Sequence, residues 1–183
     1  PTFQLRNTNS TIEESLQRVE QIQELCLRNN KLLVIYLSMG FGNPYGDPYS
    51  AEVLLRWADE MVQREVSVIS LADTVGLATP EQISFALDTL IPLYPATSFG
   101  VHLHSTPSNW EEKMQAAVNA GCKRFDGALR GVGGCPMAGD ALVGNMSTEL
   151  MAGWLEQRNL LPPMNKEAFR HCLQMAGELF SGH

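Results

Sequence analysis

Two histidines separated by one residue are the side chains in this sequence best suited to chemistry. His102 and His104 stand in the segment VHLHST, which follows a short apolar run. Residues two apart on a strand point to the same face, so both imidazoles can reach one ion or one substrate. The same spacing occurs in pairs of hydrogen-bonded structural histidines, and at this point both interpretations stay open.

A glycine-rich loop is the second candidate. Residues 131–145 read GVGGCPMAGDALVGN, with five glycines, Cys135 and a closing Asn145. A structural cysteine is usually packed in a core, so a thiol here indicates a side chain that must move or a backbone that must wrap closely around something. The simpler alternatives are a tight turn and an N-cap role for Asn145.

Asp73 is the third candidate, in the segment SLADTVG. Two neutral imidazoles with the amide oxygen of Asn145 give mixed nitrogen and oxygen ligation, which one carboxylate would complete as a site for Mg²⁺ or Mn²⁺. Either Asp73 or a carboxylate outside this sequence can supply that ligand. Asp73 can instead organise a turn.

The surrounding pattern alternates strands with amphipathic helices. Strands are predicted at 31–37, 66–72, 99–103 and 123–129, with a stub at 2–5 that would leave an exposed edge, and the apolar run 31–37 predicts burial on both faces. Such alternation predicts an α/β fold with a parallel sheet, either doubly wound or a (β/α)₈ barrel, and places ligands at the carboxyl ends of the strands. A complete barrel usually needs about 250 residues. If this is a barrel, its first three or four units are missing.

Capping signals place the helices. Ser10 with Glu13 predicts a capping box at the first long helix, and Thr79 with Gln82 predicts another, with Pro80 at the first helical position. Further helices are predicted near 147–158 and 165–180.

Composition narrows the function classes. The 183 residues are 44% hydrophobic and 18% charged, as expected of a single globular domain over 1–183, and the net charge of −7 argues against binding nucleic acid or an anionic membrane. No apolar run reaches the length of a membrane span. The four cysteines form no CxxC pair, which argues against a zinc knuckle and favours a reducing compartment; the expected location is the cytoplasm if the source is bacterial. Cys26 and Cys172 are predicted to be core residues.

Several segments together resemble the 3-hydroxy-3-methylglutaryl-CoA (HMG-CoA) lyases, metal-dependent barrel enzymes. They include SLADTVGLATP, VHLHST and GVGGCPMAGDALVGNMSTE, and NSTIEESLQR and NPYGDPYS fit the same order and spacing. The Gly-Gly-Cys-Pro loop leading to Gly-Asn is the most specific of them. The resemblance implies that the chain is the C-terminal part of a TIM barrel.

The resemblance also implies roles for individual residues. His102, His104 and Asn145 match metal ligands, and His102 is also implicated in proton transfer. Cys135 matches a loop cysteine that reaches over the site, and Asp73 matches an active-site aspartate. The implied reaction cleaves HMG-CoA to acetyl-CoA and acetoacetate with Mg²⁺ or Mn²⁺, so the expected partner is a small-molecule acyl-CoA; a homo-oligomer is left open.

Two positions and one missing strand refine the comparison with that family. Ser105 stands where the family usually has an aspartate after its second histidine, and Glu149 matches an acidic residue just beyond the loop. The family's first strand, which carries a metal-binding aspartate and an adjacent arginine, has no counterpart in this sequence.

Two alternatives remain. A related Claisen-type synthase or an aldolase of the same barrel group shares most of the individual segments, although the loop cysteine favours the lyase. The other alternative is an inactive barrel fragment that functions as a scaffold.

Overall fold

A computed structural model describes residues 1–134 and 143–180 of the chain. The helices and strands alternate along most of its length. The helices are α1 (Thr2–Thr8), α2 (Ile12–Arg28), α3 (Ala51–Gln63), α4 (Pro80–Leu93), α5 (Trp110–Asn119), α6 (Thr148–Gln157) and α7 (Lys166–Leu179). The strands are β1 (Val34–Leu37), β2 (Val68–Ala72), β3 (Ser98–His102), β4 (His104–Ser105), β5 (Phe125–Asp126) and β6 (Gly144–Asn145).

The main sheet is parallel and has four strands in the order β1-β2-β3-β5. Its order follows the chain, as expected when each strand is joined to the next by a right-handed crossover through a helix. Strands β4 and β6 form a separate antiparallel pair beyond the end of β3. The parallel α/β prediction is therefore confirmed.

The two faces of the sheet differ in chemistry. Ile69, Leu71 and Val101 are buried in an apolar core with residues of α3, α4 and α5. Side chains alternate along a strand, so the opposite face carries Ser70 and His102. The helices therefore cover an apolar face, whereas the other face is free to carry polar side chains.

Strand β1 corrects the prediction for residues 31–37. Burial on both faces was expected, but Tyr36 is 46% exposed and Leu32 67% exposed. The reason is position: β1 pairs only with β2 among the described strands and so lies at the edge of the sheet. Residues 31–37 are mostly apolar, but the described elements do not cover both faces of this edge strand.

Residues 2–5 are helical, so the predicted strand stub is wrong. They belong to α1, whose first residue Thr2 donates its backbone N–H and its hydroxyl to the carboxylate of Asp47, each at 2.8 Å. Phe3 is buried beneath this turn. A carboxylate at a helix N-terminus satisfies free N–H groups and complements the helix dipole, and this partner is distant in sequence.

The two predicted capping boxes have different outcomes. Thr79 and Gln82 cap α4 as predicted, with Pro80 in the first turn. The box at α2 lies one residue later than predicted, between Thr11 and Glu14. Ser10 does not cap the helix because it is buried and donates its hydroxyl to the Thr8 carbonyl.

Candidate functional site

The two histidines lie side by side where β3 ends. His102 is the last residue of β3 and His104 begins β4, with Leu103 buried in the core between them. Their ring centroids are 5.2 Å apart, and the planes meet at 72°. The structure thus brings both imidazoles together, as the spacing predicted.

Asn145 joins this pair from a distant part of the chain. It is the register partner of His104 in the antiparallel β4–β6 pair. Its side-chain amide donates to the Val132 carbonyl at 3.0 Å, and its backbone N–H donates to the Gly133 carbonyl at 3.2 Å. Because the amide nitrogen is a hydrogen-bond donor and already binds the Val132 carbonyl, a cation would be bound through the amide oxygen.

The first glycines of the loop are required by this close approach. Gly131 and Gly133 both have positive φ, at 65° and 87°. A Cβ on Gly131 would lie 2.9 Å from the Asn145 carbonyl oxygen, and one on Gly133 would lie 3.2 Å from the Asn145 amide nitrogen. These two glycines let the backbone pass close to Asn145, which explains why the first part of the loop is rich in glycine.

Cys135 lies outside the described residues, so its predicted role in the loop stays a prediction. The base of the loop is described. The Glu149 carboxylate accepts a 2.9 Å hydrogen bond from the backbone N–H of Arg130, and Arg130 has a positive φ of 60°. Glu149 therefore anchors the backbone where the loop begins.

The protonation of His104 and the unpartnered ring nitrogens of both histidines suit metal binding. His104 is only 3% exposed, and burial, followed by the neighbouring His102, lowers its pKa; Asp73, Asn145 and the Thr74 backbone oppose that shift. The Nδ1 atoms of both histidines are buried and have no hydrogen-bond partner. A buried nitrogen without a partner is costly unless something binds the ring, so these residues fit a divalent ion.

The predicted donors of such a site do not include a carboxylate. Within residues 1–134 and 143–180, no group of three or more His, Cys, Asp and Glu side chains is placed to hold a metal ion. His102, His104 and Asn145 are therefore not completed by such a group among the described residues. A hard cation normally also takes a carboxylate, which would have to come from elsewhere.

Asp73 is buried and both of its oxygens are used. Oδ1 accepts from the backbone N–H of Ala78 at 3.0 Å, and Oδ2 accepts from the ammonium of Lys113 at 2.8 Å. Its backbone N–H donates to the carbonyl of His102 at 2.9 Å, which ties the ends of β2 and β3 together. Asp73 thus lies beside the histidines but faces Lys113.

An open cavity of about 550 Å³ lies in front of His102. Tyr36 and Asp126 contribute to its wall, and the Tyr36 ring meets the His102 ring edge-on with centroids 5.9 Å apart. Burial, followed by the charge of Asp126, raises the pKa of Tyr36, so its phenol stays protonated. Asp126 also accepts a 2.8 Å hydrogen bond from Ser70.

Sequence reasoning missed four of these residues: Tyr36, Ser70, Lys113 and Asp126. Three of them could have been found from strand alternation. Tyr36 and Ser70 are register partners, as are His102 and Asp126, so all four side chains share one face of the sheet. Lys113 had no such signal, because it lies on a helix and reaches the site through space.

The chain matches the HMGL-like family model over residues 2–175. It belongs to the HMGL-like family. A curated HMGL-like relative, the HMG-CoA lyase YngG of Bacillus subtilis, is 33% identical over 159 residues, covering 87% of this chain and 53% of the relative. The (R)-citramalyl-CoA lyase of Chloroflexus aurantiacus is 32% identical over 78% of this chain and 45% of its own length. The chain therefore spans about half the length of the curated relatives it matches.

Comparison with solved structures shows that the fold is also similar to that of HMG-CoA lyases. The HMG-CoA lyase of B. subtilis superimposes with a TM-score of 0.87 at 30% identity, over 97% of this chain and 59% of that one. An HMG-CoA lyase from Acinetobacter baumannii, solved with coenzyme A and 3-methylmalate, gives 0.84 at 26% identity, over 97% and 58%. The fold is accordingly part of a (β/α)₈ TIM barrel. Among the described residues, no helix is long and apolar enough to cross a membrane.

Proposed function

We propose that this chain forms the carboxyl-terminal part, as a single domain over 1–183, of a metal-dependent lyase that cleaves HMG-CoA to acetyl-CoA and acetoacetate. The observation that carries the proposal is the group formed by His102, His104 and Asn145. Two imidazoles with unpartnered buried nitrogens meet one amide at the carboxyl end of a parallel sheet, where barrel enzymes bind their ligands. Membership of the HMGL-like family supports the reaction class.

His102, His104 and Asn145 would hold a Mg²⁺ or Mn²⁺ ion. When bound, such an ion stabilises negative charge on a substrate oxygen and orients the substrate. His104 is suited to a ligand role because its lowered pKa keeps the imidazole neutral. Asn145 is held by two hydrogen bonds, to the carbonyls of Val132 and Gly133, so little order has to be gained on binding.

His102 would take the proton of the tertiary hydroxyl of the substrate. It faces the open cavity, whereas His104 is almost fully buried. Loss of that proton lets the bond between carbons 2 and 3 of the acyl chain break, with its electron pair passing to the departing acetyl-CoA fragment. The fragment is an enolate and must gain a proton.

Cys135 would donate that proton, on the basis of its place in the glycine loop. The described base of the loop crosses Asn145, so the remainder starts beside the metal ligands. A loop that closes over the substrate excludes water from the enolate, which would otherwise take a proton from solvent. Asp73 would act from beside the histidines, through its bond to Lys113.

The substrate has a second candidate, (R)-citramalyl-CoA. The curated lyase for that thioester matches this chain at 32% identity, almost the same as the 33% of the HMG-CoA lyase. Both are 3-hydroxyacyl thioesters, so the same proton transfers apply. The partner in either case is a small acyl-CoA, consistent with the relative solved with coenzyme A.

The test joins this chain to the remaining barrel units and follows the loss of each acyl-CoA by chromatography, with Mg²⁺ or Mn²⁺ added. We expect the extended protein to consume HMG-CoA, and the 183-residue chain alone to be inactive because its metal donors include no carboxylate. Preferential consumption of (R)-citramalyl-CoA would select the second substrate. Consumption of neither would contradict the lyase proposal and favour a scaffold.

A further inference from the structure

Lys113 is the most completely buried cation of the described chain, and its ammonium lies against the backbone of His104. Its side chain is 2% exposed, although lysine is almost never fully buried without partners. The ammonium donates to the Asp73 carboxylate at 2.8 Å, to the His104 carbonyl at 2.8 Å and to the Gly76 carbonyl at 3.2 Å. An ammonium has three N–H donors, so each has an acceptor.

The three acceptors belong to separate segments of the site. Asp73 follows β2, Gly76 lies in the turn before α4, and His104 begins β4. Lys113 itself lies in the first turn of α5. One side chain therefore holds together the ends of two strands, a loop and a helix.

Stability alone does not explain a cation at this position. The first turn of a helix favours acidic residues, as Glu111 and Glu112 illustrate in the same turn. A buried ion pair also gains little over apolar packing, since desolvation of both charges offsets their attraction. What Lys113 does provide is a fixed geometry, because its three hydrogen bonds hold the groups that they join.

We propose that Lys113 is a positioning residue that sets the place of His104. It holds the His104 carbonyl directly and Asp73 on the other side, and the Asp73 N–H is bonded to the His102 carbonyl. The backbone of both histidines is thus linked to the Lys113 ammonium, directly at His104 and through Asp73 at His102. The importance of this positioning for catalysis rests on the proposed function, whereas the positioning of His104 itself does not.

The test measures how fast His104 reacts with diethyl pyrocarbonate in the metal-free chain, by mass spectrometry of the modified peptides. His171, which is exposed, serves as the internal reference. In the unaltered chain we expect His104 to react slowly. In Lys113→Met it should react about tenfold faster relative to His171, because the segment that carries it opens locally.

Met114→Ala is the matched control, since Met114 is the next residue of α5 and its side chain belongs to the apolar core. This variant should lose stability while His104 stays protected. If Lys113→Met does not fold, Asp73→Asn/Lys113→Met carries the test, because it leaves no unpaired charge buried. Equal protection of His104 with and without Lys113, or equal exposure in Met114→Ala, would overturn the proposal. Neither result depends on whether the histidines bind a metal or a substrate.

Discussion

His104 and Asn145 lie directly opposite each other in an antiparallel pair, although they follow different strands of the main sheet. The pairing places an imidazole beside a carboxamide, and the glycine-rich backbone bonds to Asn145 through the Gly133 carbonyl. The position of Asn145 is therefore set by main-chain pairing, which does not depend on a bound ligand. That arrangement leads to the first prediction.

Asn145→Ala should lower the affinity for Mn²⁺ by more than about tenfold in the protein with its complete barrel, since a metal donor is lost outright rather than a partner of one. Isothermal titration measures the affinity. Asn165→Ala is the matched control: Asn165 caps α7 through its side chain, far along the chain from the histidines. It should cost about 1 kcal/mol of stability without changing the metal affinity. Equal affinities in all three proteins would remove Asn145 from the ligand set.

The pair of Asp73 and Lys113 should behave as a unit in unfolding experiments. Lys113→Met alone should lower the free energy of unfolding by about 3–5 kcal/mol, because it leaves a buried carboxylate without its partner. Asp73→Asn/Lys113→Met should cost less than Lys113→Met. Urea denaturation of Asp73→Asn, Lys113→Met and the double variant measures these losses, and a double-variant loss equal to the sum of the two single losses would show that the two residues do not interact.

The buried thiol of Cys122 should make the folded chain less stable at high pH. Burial raises the pKa of its thiol from 9.0 to about 11, so the folded state keeps the proton while the unfolded chain loses it. The contribution is complete below about pH 9 and is lost as the pH rises towards 11, amounting to about 2–3 kcal/mol. Cys122→Ala should flatten this part of the pH profile, whereas Cys172→Ala, at an exposed position, should leave it unchanged. Identical profiles for the unaltered chain and Cys122→Ala would be inconsistent with the burial of this thiol.

Cys135→Ser should slow cleavage while leaving the Mn²⁺ affinity intact, because its proposed role is proton donation and not ligation. The same protein offers an alkylation test: a substrate analogue should protect Cys135 from iodoacetamide but should not protect the exposed Cys172. Equal labelling of Cys135 with and without the analogue would argue that the loop does not cover the substrate.

The parts of the fold that the sequence predicted are those governed by local rules. Thr79, Pro80 and Gln82 begin α4 where the pattern indicated, because an N-cap needs only residues within one turn. The spacing of His102 and His104 likewise predicted two neighbouring rings, since alternation along the chain is local.

The misses depended on partners distant in sequence. Residues 2–5 form a helix because Asp47 caps it, and nothing within α1 announces that contact. Cys172 was predicted in the core but is exposed, because α7 buries little of itself beyond Ala176. Lys113 resembles an ordinary surface lysine in the sequence, and only its hydrogen bonds to the Asp73 carboxylate and the His104 carbonyl show its place. Periodicity predicts which face of an element is apolar but not what will cover it.

The most direct test of the account asks whether both histidines bind the metal. The protein with its complete barrel would be labelled with ¹⁵N-histidine and loaded with Mn²⁺, and electron spin echo spectroscopy would detect imidazole nitrogens coupled to the ion. We predict two coupled nitrogens in the unaltered protein, one in each of His102→Ala and His104→Ala, and two in the control His171→Ala. Bound Mn²⁺ without a coupled imidazole nitrogen, or with two coupled nitrogens still present in both His102→Ala and His104→Ala, would contradict the proposed metal site.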